Sequence, residues 1–212
     1  MKEDIGHLRK SYDKSSLDCA DLKGDPLSFF HQWMQAAKAD KQIEEANAMS
    51  IATVGKDGFP KTRVVLLKSY DAEGFVFYTN FNSEKGQAIA AHPKVCLSFF
   101  WPSLERQVII KGTAVKVDEP TATAYFKSRP EGSQLGAIVS PQSQVIPNRE
   151  FLEQALAENS TSAPLKKPSH WGGYKVAPEE IEFWQGRPNR LHDRVRCQLQ
   201  SNASWIIERL AP

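Results

Sequence analysis

A chain of 212 residues with 27 basic and 25 acidic side chains carries a formal charge of only +2, and 41% hydrophobic with 25% charged residues is the composition of an ordinary soluble globular protein. That balance speaks against a nucleic-acid or acidic-membrane partner recognised by bulk electrostatics. Three scattered cysteines with no C-x-x-C, and histidines without ligand spacing, argue against a disulfide framework and a metal site. No apolar run is long enough to span a bilayer and the N-terminus lacks an apolar leader, so cytoplasmic residence is expected.

Residues 1–24 are polar and read as a mobile N-terminal segment, with 25–212 as a single domain. Asp25-Pro26 opens a helix, and Leu27, Phe30, Met34 and Ala37 recur at helical spacing. Strands are predicted over 49–54, 62–70 and 75–80, separated by Gly55-Lys-Asp-Gly58 and Asp71-Ala-Glu-Gly74 turns. A short helix from Ser83 closes before Pro93, and strands follow over 95–101 and 106–117. Helical patterns return after Asp118, over 133–139 and over 150–156, with a polar loop at 158–164. The last third is β again, over 173–176, 181–184, 194–199 and 205–210. Short spacings without long crossover helices predict a mainly β, antiparallel fold, closed or partly closed, with flanking helices.

Several clusters can carry chemistry. Arg63 and Lys68 are an odd number of residues apart, so a regular strand cannot aim both at one ligand; they serve two adjacent ligands, are re-aimed by a bulge, or are two solvated ends. Lys85, in the first turn of a helix, suits a bound anion or is a solvated surface lysine. Tyr125 and Arg129 share a helix face and Ser133 follows a Pro–Gly break; together they form a phosphate cup, or Arg129 simply complements a helix C-terminus. Gln107 reads as a half-buried strand residue, Gln142-Ser143 as a polar loop, and Leu8–Tyr12 as a basic tail. Trp184, Arg190, His192 and Arg194 crowd into one short run, a combination suited to a flat, anionic, aromatic ligand.

Four motifs occur in order: R-[VI]-V-L-L-K at 63–68, L-E-R-Q-V at 104–108, Y-F-x-S-R-P-x-x-S at 125–133 and W-Q-x-x-x-x-R-L-H-D-R at 184–194. This set resembles the pyridoxine/pyridoxamine 5'-phosphate oxidases, FMN enzymes of vitamin B6 metabolism. The resemblance implies an FMN-binding antiparallel split β-barrel that dimerises with FMN at the subunit interface. It implies FMN contacts from Arg63, Val64, Val65, Leu66, Leu67, Lys68, Tyr78, Thr79, Lys85, Gln107, Gln142, Ser143, Trp184 and Arg194. Lys68, Tyr125, Arg129 and Ser133 would hold the substrate 5'-phosphate, Arg9 and Tyr12 would cover it as a lid, and Arg190 and His192 would contact it near the reacting carbon as the catalytic pair. The implied reaction takes pyridoxine or pyridoxamine 5'-phosphate to pyridoxal 5'-phosphate, with O2 consumed, H2O2 formed and NH3 released from the amine. Glu84 departs from the family's usual basic residue and is expected to face solvent. Another split-barrel FMN oxidoreductase, or a non-catalytic flavin or pyridoxal phosphate carrier, are the alternative readings.

Overall fold

Helix α1, Pro26–Ala39, begins where the sequence places it: the Asp25 carboxylate accepts from the Leu27 N–H and Pro26 occupies the first turn. The computed structural model describes residues 1–160 and 164–212; positions 161–163 of the polar loop lie outside the described residues. The strands are β1 (Ala48–Val54), β2 (Pro60–Leu66), β3 (Ser69–Asp71), β4 (Gly74–Asn80), β5 (Lys94–Trp101), β6 (Arg106–Lys116), β7 (Trp171–Gln185), β8 (Asp193–Leu199) and β9 (Trp205–Leu210). Helices α2 (Glu84–Ala91), α3 (Glu119–Ser128), α4 (Glu131–Val139) and α5 (Glu150–Asn159) complete the set. Ser83 and Asp118 cap α2 and α3 by accepting from the Gly86 and Thr121 N–H groups.

The strands pair in the order β2-β1-β5-β6-β7-β4-β3, with β8 on β7 and β9 on β8. The β3–β4, β4–β7, β7–β8 and β8–β9 ladders are antiparallel. No helix among the described residues is long and apolar enough to cross a membrane.

Two strand expectations need correction. The predicted strand over 62–70 is broken between β2 and β3: Leu67 turns inward, 4% exposed, and the Lys68 N–H donates to the Val76 carbonyl at 2.8 Å. Burial of Leu67 outweighs strand continuity and resets the side-chain parity beyond it. Conversely, the two strands expected around Pro178 are one strand of fifteen residues. Gly112 permits this: a Cβ there would stand 2.1 Å from the Ala177 carbonyl oxygen.

Two compact units emerge. One comprises 1–48, 98–111 and 179–212; the other comprises 49–97 and 112–178. In the first, α1 buries Phe29, Phe30, Trp33 and Met34. Phe29 and Trp33 meet Phe183 edge-on at 5.0 and 5.4 Å, and Phe30 meets Phe99 at 5.3 Å. Each such buried ring contributes about 1.5–3 kcal/mol, and edge-to-face contacts add to it. The N-terminal segment joins this unit through Leu17 and Leu22, both 2% exposed, and a 3-10 turn over Cys19–Leu22 capped by Asp18. In the second unit Phe75, Phe77, Leu97, Phe126 and Val176 are fully buried. The three cysteines are free thiols; burial pushes the Cys197 thiol up to about 12.

Candidate functional site

The unit holding 49–97 and 112–178 contains a cavity of about 600 Å3. Its floor is aromatic. Tyr78 on β4 stacks on Tyr125 of α3 at 3.9 Å and on Trp171 of β7 at 5.4 Å. Gly173 makes room for this stack, since a Cβ there would lie 2.9 Å from the Tyr78 ring. Arg129, the C-cap of α3, lies over Trp171 at 4.8 Å. Its Nη1 is buried with no hydrogen-bond partner among the described residues, and burial lowers its pKa, opposed by Tyr125. The Ser133 N–H donates to the Pro130 carbonyl at 2.9 Å, so this amide is already used and the hydroxyl is the group left for a ligand.

At the other side, the capped start of α2 presents Lys85. Its Nζ donates to Thr79 Oγ1 at 3.0 Å and to Gln142 Oε1 at 2.9 Å. Burial, helped by the Arg63 charge, lowers the Lys85 pKa. Glu84 faces solvent, its side chain 40% exposed, but it is paired there. It accepts from Arg63 Nη2 at 2.9 Å and from Lys61 Nζ. The Lys61 hydrogen bond, with the charges of Lys61 and Arg63, holds its carboxyl below the usual range. The acid is thus paired with two cations of β2 at the surface, where all three side chains remain in contact with water.

The other unit holds a second cavity, of about 540 Å3, between residues 8–12 and a wall of Arg187, Asn189, Arg190 and His192. Tyr12 meets Trp184 edge-on at 5.7 Å and His192 at 5.8 Å; Trp184 and His192 are 4.8 Å apart. The Arg187 N–H donates to His192 Nδ1 at 3.1 Å, which makes Nδ1 the acceptor and leaves Nε2–H as a donor in the neutral ring. Arg190 and His192 do not lie on an extended run: Pro188–Arg190 is a 3-10 turn, with Asn189 and Arg190 at φ 57 and 62. The turn, not strand parity, brings both residues to one cavity.

A family description, Pyridoxamine 5'-phosphate oxidase, matches residues 36–162, and a second, Pyridoxine 5'-phosphate oxidase C-terminal dimerisation region, matches 171–212. The chain belongs to the pyridoxine/pyridoxamine 5'-phosphate oxidase family. It is 55% identical over 211 residues to the Flavobacterium johnsoniae protein named pyridoxine/pyridoxamine 5'-phosphate oxidase, covering 98% of this chain and 99% of that one. The Leptospira interrogans protein of the same name is 48% identical over 215 residues, covering both chains fully. Among solved structures, PhzG from Burkholderia lata 383, in complex with tetrahydrophenazine-1-carboxylic acid, superposes with a TM-score of 0.84 at 26% identity, covering 96% of this chain and 100% of that one. The FMN binding protein from Nostoc punctiforme PCC 73102 shares the fold, with a TM-score of 0.73 at 16% identity over 93% of this chain and 100% of that one. The fold class is therefore the expected one: antiparallel, mainly β, with flanking helices, of the split-barrel type.

Of the residues picked out by their likeness to this oxidase family, Val64, Val65, Leu66, Lys68, Tyr78, Thr79, Lys85, Tyr125, Arg129, Ser133 and Gln142 line the larger cavity. Arg9, Tyr12, Arg190 and His192 line the smaller one. Others lie elsewhere. Arg63 is engaged with Glu84, and Leu67 is buried. Ser143 sits at φ 71 outside the lining, and Gln107 Nε2 donates to Ser98 Oγ at 3.1 Å. Trp184 faces Arg194 across the β7–β8 ladder, where Arg194 makes a two-pronged pair with Glu182 at 2.7 and 3.2 Å. Sequence reasoning missed Trp171. Its signal was the Gly172-Gly173 pair beside it, since two glycines in a strand mark a close approach, here by the rings of Phe81 and Tyr78.

Proposed function

We propose that this chain is an FMN-dependent oxidase that converts pyridoxine 5'-phosphate and pyridoxamine 5'-phosphate to pyridoxal 5'-phosphate. The alcohol plus O2 gives the aldehyde plus H2O2; the amine plus O2 and water gives the aldehyde, NH3 and H2O2. The observation that carries the reading is the buried, unpartnered Arg129 Nη1 in a cavity that also presents Lys68, Tyr125 and Ser133. A buried donor without a partner costs stability unless an anion completes it, and these four side chains are the donor set a phosphate ester needs.

The residues present also fit FMN. Lys85, Thr79 and Gln142 form a cationic, hydrogen-bonding corner at the start of α2, and Val64–Leu66 offer an apolar edge beside it. Bound there, FMN would accept hydride from the substrate and pass the electrons to O2. The protein's part is placement. Lys68, Tyr125, Arg129 and Ser133 hold the 5'-phosphate, and Lys85 balances the cofactor phosphate. The Nε2–H of His192 and the guanidinium of Arg190 are the donors that orient the substrate ring and reacting carbon; Arg190 makes no side-chain hydrogen bond or ion pair among the described residues and is free to do so. Arg63, Leu67, Gln107, Ser143, Trp184 and Arg194 are retained as FMN contacts on the strength of the family motifs. Residues 1–24 serve as the substrate lid through Arg9 and Tyr12, and 25–212 form the working domain. The matched C-terminal dimerisation region supports a homodimer; FMN at the subunit interface is carried over from the family resemblance. Free thiols and the vitamin B6 chemistry support a cytoplasmic location.

The test is an aerobic assay of the FMN-loaded protein with both phosphorylated vitamers, following pyridoxal 5'-phosphate and H2O2 together. Product from neither vitamer would overturn the proposal.

A further inference from the structure

Glu105 sits in the turn between β5 and β6 at φ 56, in the left-handed region that non-glycine residues rarely adopt, and is 1% exposed. Its backbone is locked: the carbonyl accepts from the Gly186 N–H at 2.8 Å and from Gln185 Nε2 at 3.2 Å. Its carboxylate is turned to the N-terminal segment. Oε2 accepts from the Asp13 and Lys14 N–H groups at 3.0 and 3.1 Å. Oε1 makes no aligned hydrogen bond and is neutralised by Lys10 Nζ at 3.0 Å. Lys14 Nζ reaches the neighbouring Ser103 carbonyl at 2.6 Å. Among the described residues, the partners of this buried carboxylate side chain thus all come from residues 10–14.

Tyr12 lies between these anchors. It rests on Gly186, where a Cβ would stand 2.7 Å from Tyr12 Cγ and 3.1 Å from Glu105 Cβ. From there it contacts Trp184 and His192, and residues 8–12 close one side of the cavity that Arg190 and His192 line. A buried carboxylate is costly unless its charge and lone pairs are matched. Lifting residues 10–14 would strip Glu105 of its partners in one step, whereas Leu17 and Leu22 keep the chain beyond anchored. The docked arrangement is favoured by the acid's need for partners as well as by the contacts of Tyr12.

We propose that Glu105 is a positioning residue, a buried latch that seats residues 10–14 and so sets Tyr12 against Trp184 and His192 as one wall of the cavity that Arg190 and His192 line. The role of this wall toward substrate rests on the proposed oxidase function; the latch itself does not. The experiment uses FMN-loaded protein and the Glu105→Gln variant, which keeps the shape but loses the charge and an acceptor. Hydrogen exchange at the Asp13 and Lys14 amides should accelerate at least about tenfold, as for a local opening made easier. Tryptophan emission should change as Tyr12 leaves Trp184. KM for pyridoxine 5'-phosphate should rise several-fold with kcat within about twofold, and Glu105→Asp should recover part of the loss. Should Glu105→Gln fail to fold, Lys10→Met at an exposed position carries the same exchange readout with a smaller effect. Unchanged exchange at residues 13 and 14 in the folded variants would overturn the latch. Accelerated exchange in a protein that oxidises neither vitamer would uphold the latch and sink the oxidase reading instead.

Discussion

Replacing Arg129 by alanine tests the phosphate cup most directly. Two effects on the ligand-free protein oppose each other. Removing the unpartnered Nη1 relieves a desolvation cost of about 1–3 kcal/mol, while losing the guanidinium over Trp171 forfeits about 0.5–2 kcal/mol. Unfolding stability should therefore stay within about 1 kcal/mol of the parent, measurable by urea titration. Binding behaves differently. A hydrogen bond to a charged group contributes about 1.5–3 kcal/mol, so KM for pyridoxine 5'-phosphate should rise roughly 10- to 150-fold. Unphosphorylated pyridoxine cannot use the cup, so its weak turnover should change little, and the FMN spectrum should persist. The assay is steady-state kinetics on both compounds with FMN in excess. Equal fold losses for the two would refute the argument, because the arginine would then be acting on the fold or the cofactor rather than on the phosphate.

Gly112→Ala should destabilise the protein toward the upper end of about 1–3 kcal/mol, because the new Cβ meets the Ala177 carbonyl oxygen at 2.1 Å and backbone atoms cannot swing aside; denaturant midpoints check it. Glu84→Gln releases Arg63 and should tighten FMN about two- to fivefold, an exposed-pair effect readable by fluorescence titration at low salt; weaker binding would contradict it. FMN affinity should fall as pH rises through the lowered pKa of Lys85, since only the ammonium balances phosphate, and Lys85→Arg should move the fall to higher pH. The sign for folding is opposite: a lysine pKa depressed by burial penalises the fold while charged, and that penalty fades as pH rises, so lost affinity would not reflect unfolding through this group. Arg190→Ala should stay yellow and slow anaerobic flavin reduction at saturating substrate, whereas Arg194→Lys, which keeps the charge opposite Glu182, should lose FMN first and recover activity with added FMN. Rapid mixing separates the two, and an unchanged reduction rate in Arg190→Ala would remove that residue from the catalytic pair.

What the sequence determined by itself is what neighbours a few positions apart decide. Asp25, Ser83 and Asp118 were legible as helix starts because a short polar side chain satisfies the N–H groups two or three residues on, whatever lies elsewhere. Alternating apolar residues marked most strands, and the spacing within Y-F-x-S-R-P-x-x-S already placed Tyr125, Arg129 and Ser133 near one another. The tertiary structure decided what depends on distant partners. Burial of Leu67 broke a strand that β-propensity alone would continue, and Gly112 let β7 run through Pro178. Glu84 found Lys61 and Arg63, Trp171 slid beneath Tyr78, and Glu105 took its donors from a segment about ninety residues away. Local signals report which conformation each residue prefers. Which buried charge meets which donor is set only when the packed strands leave it one neighbour in place of water.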